Sequence, residues 1–352
     1  MELKNLETPA LLVDMEKMKD NMRVMQNIMS HSSAQLRPHY KTHKTPAIAK
    51  VQIEWGAKGI TAAKLSEAED LAEAGIEDIL IANQIVQPTK IKRLAQLALR
   101  SKITVCADNV ANVKSIAAAA KEAGSQVYCY VEYDVGMNRC GAYSFEEVYV
   151  LAREIEESEN LIFAGIQAYA GQIAHATKSE REAEVLQNEM RIKELLKYLE
   201  MRGIAVKEVS GGSTGTAEFK AAHGVYTEIQ AGSYLFLDTS YGALATPFHN
   251  ALYVATTVIS KHAHGIITDA GLKSIATDQG PILCKDYKGR VVTLHEEHGA
   301  IAWENAPLQI GDMLLLISGH CCTTVNLHDR LYVLEKEEIT EILPVTSRGK
   351  SI

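Results

Sequence analysis

GITAAKLSEAEDLAEAGIEDILIA, residues Gly59 to Ala82, decides the fold. Gly59–Ala63 and Asp78–Ala82 are short, apolar and strand-like. Between them, Ser66 followed by Glu69 reads as a capping box that opens a helix, and Gly75 sits where that helix stops. A strand, a helix and a strand in so short a span make a βαβ unit, and its two strands must be parallel.

The same alternation continues in both directions. Further strand-like runs are Gln35–His39, Ile103–Ala107, Val127–Val131, Leu161–Ala168, Ala205–Val209 and Tyr226–Gln230, with helical patterns in the seven gaps. Thr45-Pro46 puts proline at a first helical position. A helix also precedes the first strand, with Met15, Met18, Met22, Met25 and Met29 at three- and four-residue spacing; this stripe reads as core packing. Eight such α/β units close into a (β/α)8 barrel of the TIM type, expected over residues 14–245. After about residue 250 the texture changes. Ala251–Ser260, Gly265–Asp269, Arg290–Leu294, Met313–Ile317 and Leu331–Val333 are strand-like, separated by turns at Gly280-Pro281, Lys288-Gly289 and Gly311-Asp312. Residues 246–352, with 1–13 and a paired Thr8–Val13, are expected to form a second, all-β domain.

The 352 residues carry a net charge of −8 without a block of like charges, which gives no nucleic-acid footprint and no polybasic membrane patch. No run approaches the roughly 20 apolar residues of a membrane helix, and MELKNLETPA does not read as a signal peptide. Cys106, Cys129, Cys140, Cys284, Cys321 and Cys322 are scattered rather than framed as a disulfide scaffold, so a cytoplasmic location is expected.

Barrel enzymes keep their chemistry on the loops after the strands. His39, Lys41 and His43 follow the first strand, Lys64 the second, Asn83 and Gln84 the third, and Asp108 and Asn109 the fourth. Asp134, Asn138 and Arg139 follow the fifth; Gln167, Tyr169 and Gly171 end the sixth. The seventh runs into Ser210-Gly-Gly-Ser-Thr214-Gly-Thr216 and the eighth into Gln230-Ala-Gly232-Ser233. Two loops of glycine and hydroxyl residues at the seventh and eighth positions offer backbone N–H groups to a phosphate. Lys41 after the first strand then suits a phosphorylated aldehyde cofactor held as a Schiff base, because a crowded lysine has a lowered pKa and a free amine.

Five segments carry a resemblance. Pro38-His39-Tyr40-Lys41-Thr42-His43-Lys44, the loop Asp134 to Gly141 (DVGMNRCG), Gly165-Ile-Gln167-Ala-Tyr169, Gln230-Ala-Gly232-Ser233-Tyr234 and Gly319 to Leu327 (GHCCTTVNL) resemble the D-threonine aldolase and eukaryotic-type D-serine dehydratase family. That family comprises pyridoxal 5'-phosphate enzymes related to alanine racemase. The resemblance implies an alanine-racemase-type barrel, a homodimer, a small D-amino acid substrate, and Lys41 as the Schiff-base lysine. It implies Arg139 beside the cofactor's phenolic oxygen, contacts from Tyr169, Thr214, Gly232 and Ser233, the last two at the phosphate, and a divalent metal on His320 and Cys322. One departure is Gln230, which stands about where alanine racemase has an arginine against the pyridine nitrogen.

In an extended segment His320 and Cys322 would share one face, and imidazole with thiolate suits zinc over manganese or magnesium. Two protein ligands leave positions open for a substrate hydroxyl. With the resemblance, the expected activity is a lyase acting on D-β-hydroxy amino acids. In the resembled family His-x-Cys leans towards the dehydratases. Alternatives are a racemase of the same fold, which needs a second base and no metal, and a non-catalytic pyridoxal-phosphate protein, whose relatives lack the β-domain. Asp269, Lys273, His175 and His298 are weaker candidates, and His295-Glu-Glu-His298 has the wrong spacing for a metalloprotease helix.

Overall fold

The computed structural model describes residues 1–352 except 175, 245 and 288–291. His175, the Lys288-Gly289 turn and the start of the Arg290–Leu294 run thus lie outside the described residues. The chain forms two compact units. The barrel unit comprises Gln26–Lys41, Ile48–Gly232 and Lys350–Ile352, and the β unit Met1–Met25, Thr42–Ala47 and Ser233–Gly349.

The elements are β1 (Ala10–Asp14), α1 (Met15–Ser30), β2 (Gln35–Leu36), α2 (Pro46–Glu54), β3 (Ile60–Ala62), α3 (Leu65–Glu73), β4 (Asp78–Gln84), α4 (Pro88–Leu97) and β5 (Lys102–Ala107). Then come α5 (Val110–Ala123), β6 (Val127–Glu132), α6 (Phe145–Glu156), β7 (Leu161–Gln167), α7 (Lys178–Glu200), β8 (Glu208–Gly211), α8 (Ala217–His223) and β9 (Glu228–Ile229). After α9 (Thr239–Gly242) follow β10 (Leu252–His262), β11 (Gly265–Thr268), β12 (Leu283–Cys284), β13 (Thr293–Leu294), β14 (Gly299–Ala302), β15 (Met313–Ile317), α10 (Cys321–Val325), β16 (Arg330–Glu335) and β17 (Glu338–Pro344).

In the barrel unit the parallel order is β2-β9-β8-β7-β6-β5-β4-β3. The two ends meet: Lys58 N donates to Leu36 O at 2.9 Å, Thr61 N donates to Pro38 O at 2.9 Å, and His39 bridges Thr61. This is the (β/α)8 ring expected from the alternation. Helix α1 buries Met18, Met22 and Met25 as its stripe predicts, and α2 begins at Pro46. Helix α3 corrects one detail. It starts at Leu65, because Glu67 and not Glu69 reaches back to accept from Ala63 N and Lys64 N. The Ser66 hydroxyl instead donates to Lys350 O at 3.2 Å, and Glu69 accepts from Arg93.

Asp78, Lys102, Glu208 and Glu228 each open a strand, which gathers charge at the N-terminal end of the barrel. Arg37, fully buried, lies 2.7 Å from Asp78 Oδ1 through Nη1 and 2.7 Å from Glu228 Oε2 through Nε. Lys58 pairs with Glu208, which also accepts from Tyr130 OH.

The β unit is a sheet ordered β13-β14-β11-β10-β1-β16-β17, with β15 pairing both β10 and β12. The N-terminal strand does pair there, antiparallel to β10 (Ala10 opposite Ala255) and parallel to β16 (Leu12 opposite Tyr332). Leu6, Ala10, Leu12, Tyr253, Ala255, Leu315, Leu334 and Ile339 form its core cluster. Strands β12, β14 and β17 were not anticipated.

Candidate active site

Beyond β2 the chain stays tied to its neighbours. Arg37 N donates to Ile229 O at 2.9 Å and His39 N to Ala231 O at 3.2 Å. A 3-10 turn, Tyr40–Thr42, then ends the strand. Tyr40 is fully buried, with its hydroxyl 3.1 Å from Asp70 Oδ2. Lys41 N donates to His39 Nδ1 at 3.4 Å. The backbone of Lys41 is thereby fixed, yet its side chain is exposed, which corrects the expectation of a crowded lysine. The physical reason is the turn: Tyr40 and Thr42 on either side take the buried positions.

The loop after β6 folds back on its strand. Asp134 N donates to Ala142 O at 3.0 Å and Ala142 N to Glu132 O at 2.8 Å. Gly141, at φ +107°, sits where a Cβ would lie 2.9 Å from Asp134 N, so the closure needs glycine. Gly141 N also donates to Asp108 Oδ2 at 3.0 Å. The loop presents Arg139, exposed, with its guanidinium carbon 5.5 Å from the Tyr169 ring centre and Nη2 4.0 Å from Glu132 Oε1. Burial pushes the Glu132 carboxyl upward, opposed by the hydrogen bond from Gln84 and the charge of Arg139.

The glycine-rich segment after β8 makes a close approach. A Cβ on Gly211 would lie 2.4 Å from Ala168 O. Ser213 N donates to Thr216 Oγ1 at 3.0 Å, and Thr214 is buried. Beneath it, the Lys220 stem would meet a Cβ on Gly212 at 3.4 Å. Lys220 Nζ, fully buried, has no hydrogen-bond partner among the described residues and lies 3.8 Å from the Tyr226 ring centre. Burial lowers its pKa to about 7, against a smaller opposing pull from Glu189. A loop of glycine and hydroxyl residues beside an unsatisfied buried amine suits an anion such as a phosphate, so these residues fit a pyridoxal-phosphate group.

Gln230 is held by a chain the sequence reading missed. Its Nε2 donates to Gln167 Oε1 at 2.6 Å and to Ser210 Oγ at 2.7 Å, and Ser210 Oγ donates to Glu228 Oε1 at 2.6 Å. A carboxylate only accepts, so the Ser210 proton goes to Glu228 and Ser210 must accept from Gln230. The period-two polar pairs Glu208/Ser210 and Glu228/Gln230 were the available signal.

In the β unit, His320 is the extended N-cap of α10, and Cys322 lies in its first turn. The segment is not the extended one expected; the helix brings the two together instead, and their side chains hydrogen-bond. His320 Nδ1 lies 2.6 Å from Asp278 Oδ2. Burial alone would lower the imidazole pKa, but the Cys322 thiol and then the Asp278 carboxylate raise it to about 9. Cys322 Sγ lies 3.4 Å from Thr42 Oγ1 and 3.9 Å from Ser233 Oγ. Thr42 and Ser233 directly follow Lys41 and Gly232 in the chain. Cys321 is buried, its N–H donating to Asp238 Oδ2 at 3.0 Å. No group of three or more His, Cys, Asp or Glu side chains among the described residues is arranged to hold a metal, so His320 and Cys322 are a two-donor set. Imidazole with thiol is donor chemistry that fits a thiophilic cation.

The weaker candidates are placed elsewhere. Asp269 accepts from Thr8 Oγ1 and Thr256 Oγ1, both at 2.6 Å, and pins strands. Lys273 forms an exposed pair with Glu297, and His298 is exposed.

The alanine racemase N-terminal domain profile matches residues 13–240, and the serine dehydratase domain profile matches 251–334. A D-threonine aldolase of Arthrobacter sp. is 41% identical over 99% of this chain and 94% of its own length. A 3-hydroxy-D-aspartate aldolase of Paracoccus denitrificans (strain Pd 1222) is 35% identical over 99% and 94%. A D-threo-3-hydroxyaspartate dehydratase of Delftia sp. (strain HT23) is 29% identical over 92% of each. Among solved structures, D-threonine aldolase from Filomicrobium marinum superposes with a TM-score of 0.97 at 32% identity, over 100% of this chain and 98% of that one. A D-threo-3-hydroxyaspartate dehydratase cysteine-to-alanine variant in its metal-free form superposes at 0.90 with 26% identity, over 98% of each. With its motifs, its closed ring of eight parallel strands and its mostly-β second unit, this chain belongs to the D-threonine aldolase and D-serine dehydratase family, pyridoxal-phosphate-dependent lyases on the alanine racemase fold.

Proposed function

We propose that the chain is a pyridoxal-phosphate- and metal-dependent lyase that cleaves D-β-hydroxy amino acids of the threonine and hydroxyaspartate type. The observation that carries this reading is the His320–Cys322 pair, which a racemase of this fold has no use for. The relatives at 41% and 35% identity carry aldolase names, and aldol cleavage is therefore the lead outcome. Cys322 itself favours the second outcome, elimination, through the resemblance to the dehydratases.

In this reading Lys41 holds the cofactor covalently, Arg139 and Tyr169 flank its ring, and Thr214, Gly232 and Ser233 take its phosphate end. His320 and Cys322 hold the cation, zinc by donor type. When bound, the cofactor supplies an electron sink at Cα and the cation polarises the β-hydroxyl. In elimination Lys41 Nζ, an amine base, would take the α-proton as hydroxide leaves Cβ, and hydrolysis of the resulting enamine yields a keto acid and ammonia. In aldol cleavage a base would take the β-hydroxyl proton instead, the Cα–Cβ bond breaks and Cα takes up a proton, which yields glycine and an aldehyde. A cytoplasmic homodimer completes the proposal; six free thiols suit a reducing compartment. No helix among the described residues is long and apolar enough to cross a membrane.

Product analysis with D-threonine and D-serine, repeated after EDTA, tests it. Glycine and acetaldehyde from D-threonine, lost on chelation and restored by metal, are expected. Pyruvate and ammonia from D-serine assign the dehydratase outcome. Racemisation of alanine or serine that is indifferent to EDTA overturns the lyase reading.

A further inference from the structure

We propose that Asp278 is a positioning residue: its carboxylate holds Nδ1 of His320 and so presents Nε2, alongside Cys322 Sγ, to a thiophilic divalent cation. This rests on the reading of His320 and Cys322 as the metal donors. Asp278 Oδ2 lies 2.6 Å from His320 Nδ1, and Oδ1 accepts from Thr323 Oγ1 at 2.6 Å. Thr323 belongs to the same short helix as Cys322, and Thr324 Oγ1 donates to the His320 carbonyl at 2.8 Å. One carboxylate therefore ties the N-cap imidazole to the helix that carries the thiol.

The chemistry of the ring fixes the rest. An ionised carboxylate accepts hydrogen bonds and donates none, so Nδ1 carries the proton. Nε2 is then the nitrogen whose lone pair a cation takes, displacing any proton there. A second partner of this kind sets both the tautomer and the ring angle of a metal-binding histidine. The two oxygens of Asp278 hold Nδ1 and Thr323, and no group of three His, Cys, Asp or Glu among the described residues is arranged for a metal, which leaves a two-donor site with open positions. The neighbouring hydroxyls of Thr42 and Ser233 reach the thiol and do not substitute for it on the ring. The Asp278 side chain is 45% exposed, so its removal costs the fold little and the cation site can be read separately.

The test titrates cobalt(II) into the full chain loaded with pyridoxal phosphate and follows the thiolate-to-cobalt charge-transfer band. Wild type is expected to show the band, and Cys322→Ser to lose it. Asp278→Ala is expected to weaken cobalt binding about 10- to 100-fold. Asp278→Asn keeps an acceptor for the Nδ1 proton and is expected to recover most of that loss. Thr323→Val, which frees one carboxylate oxygen, is expected to give a smaller loss in the same direction. Thermal melts without metal show whether each variant is folded. Asp278→Ala binding cobalt as tightly as wild type overturns the role of Asp278 and leaves the donor pair intact. Absence of the band in wild type overturns the donor pair, and this inference with it.

Discussion

The two ends of the barrel treat charge in opposite ways. At the N-terminal end, Arg37 and Glu228 are fully buried and paired, with Asp78, Glu208, Lys58 and Tyr130 completing the cluster. At the other end, Lys41 and Arg139 are exposed on backbone that is itself tightly bonded, and the nearest carboxylate to Arg139 is 4.0 Å away. A buried charge must be paired to be tolerated, so the first cluster is a structural plug. A cation held out on a rigid loop is instead available to a ligand, and barrel enzymes bind at that end. The difference separates charges paired inside the fold from charges left open to a ligand.

Replacing one residue at each end sharpens this contrast. Lys41→Ala is expected to lower turnover of D-threonine at least about 10⁴-fold, more than about 5 kcal/mol of barrier, and to abolish the cofactor's absorbance on the protein. Its urea midpoint should stay near wild type; a large loss of stability would make Lys41 a structural residue. Arg37→Met should do the reverse. Leaving buried Glu228 with only Lys58, 3.3 Å away, as its cation is expected to cost up to about 3–5 kcal/mol in urea unfolding, while kcat of the folded protein changes little. If activity disappears and stability does not, the plug reading fails.

A third, smaller effect tests the amine under the glycine loop. The pKa of Lys220 is about 7 in the fold, against an ordinary 10.5 in the unfolded chain. Between those values the unfolded chain binds more protons, so wild-type stability rises with pH across that window. The penalty is full below about pH 7 and gone above about 10.5. Lys220→Met is therefore expected to stabilise the cofactor-free protein by about 1–3 kcal/mol at pH 6, with the gain shrinking towards pH 10. A gain independent of pH would show that packing, not charge, sets the effect.

Much of this was legible in the residues. Gly59–Ala82 gave one βαβ unit, and its repetition gave the ring, because strand and helix periodicities are local properties. The Lys41 and Arg139 loops stood out because polar residues followed apolar strands. The geometry of His320 and Cys322 was misjudged for a specific reason. Two residues apart means one face in a strand, whereas here Thr323 and Thr324 bond back to the His320 carbonyl or to Asp278 and start a helix. Asp278, 42 positions from His320, left no local trace.

Chain order and composition alone determined the alternating units, their number, the change of texture near residue 250 and the polar loops that follow the strands. Each follows from short-range patterns of apolar, capping and turn residues. Only the tertiary structure decided which charges are paired, that Gln230 is locked through Ser210 to Glu228, and that Nδ1 of His320 meets Asp278. Those outcomes depend on side chains far apart in sequence meeting within hydrogen-bond distance, and no local pattern encodes such a meeting.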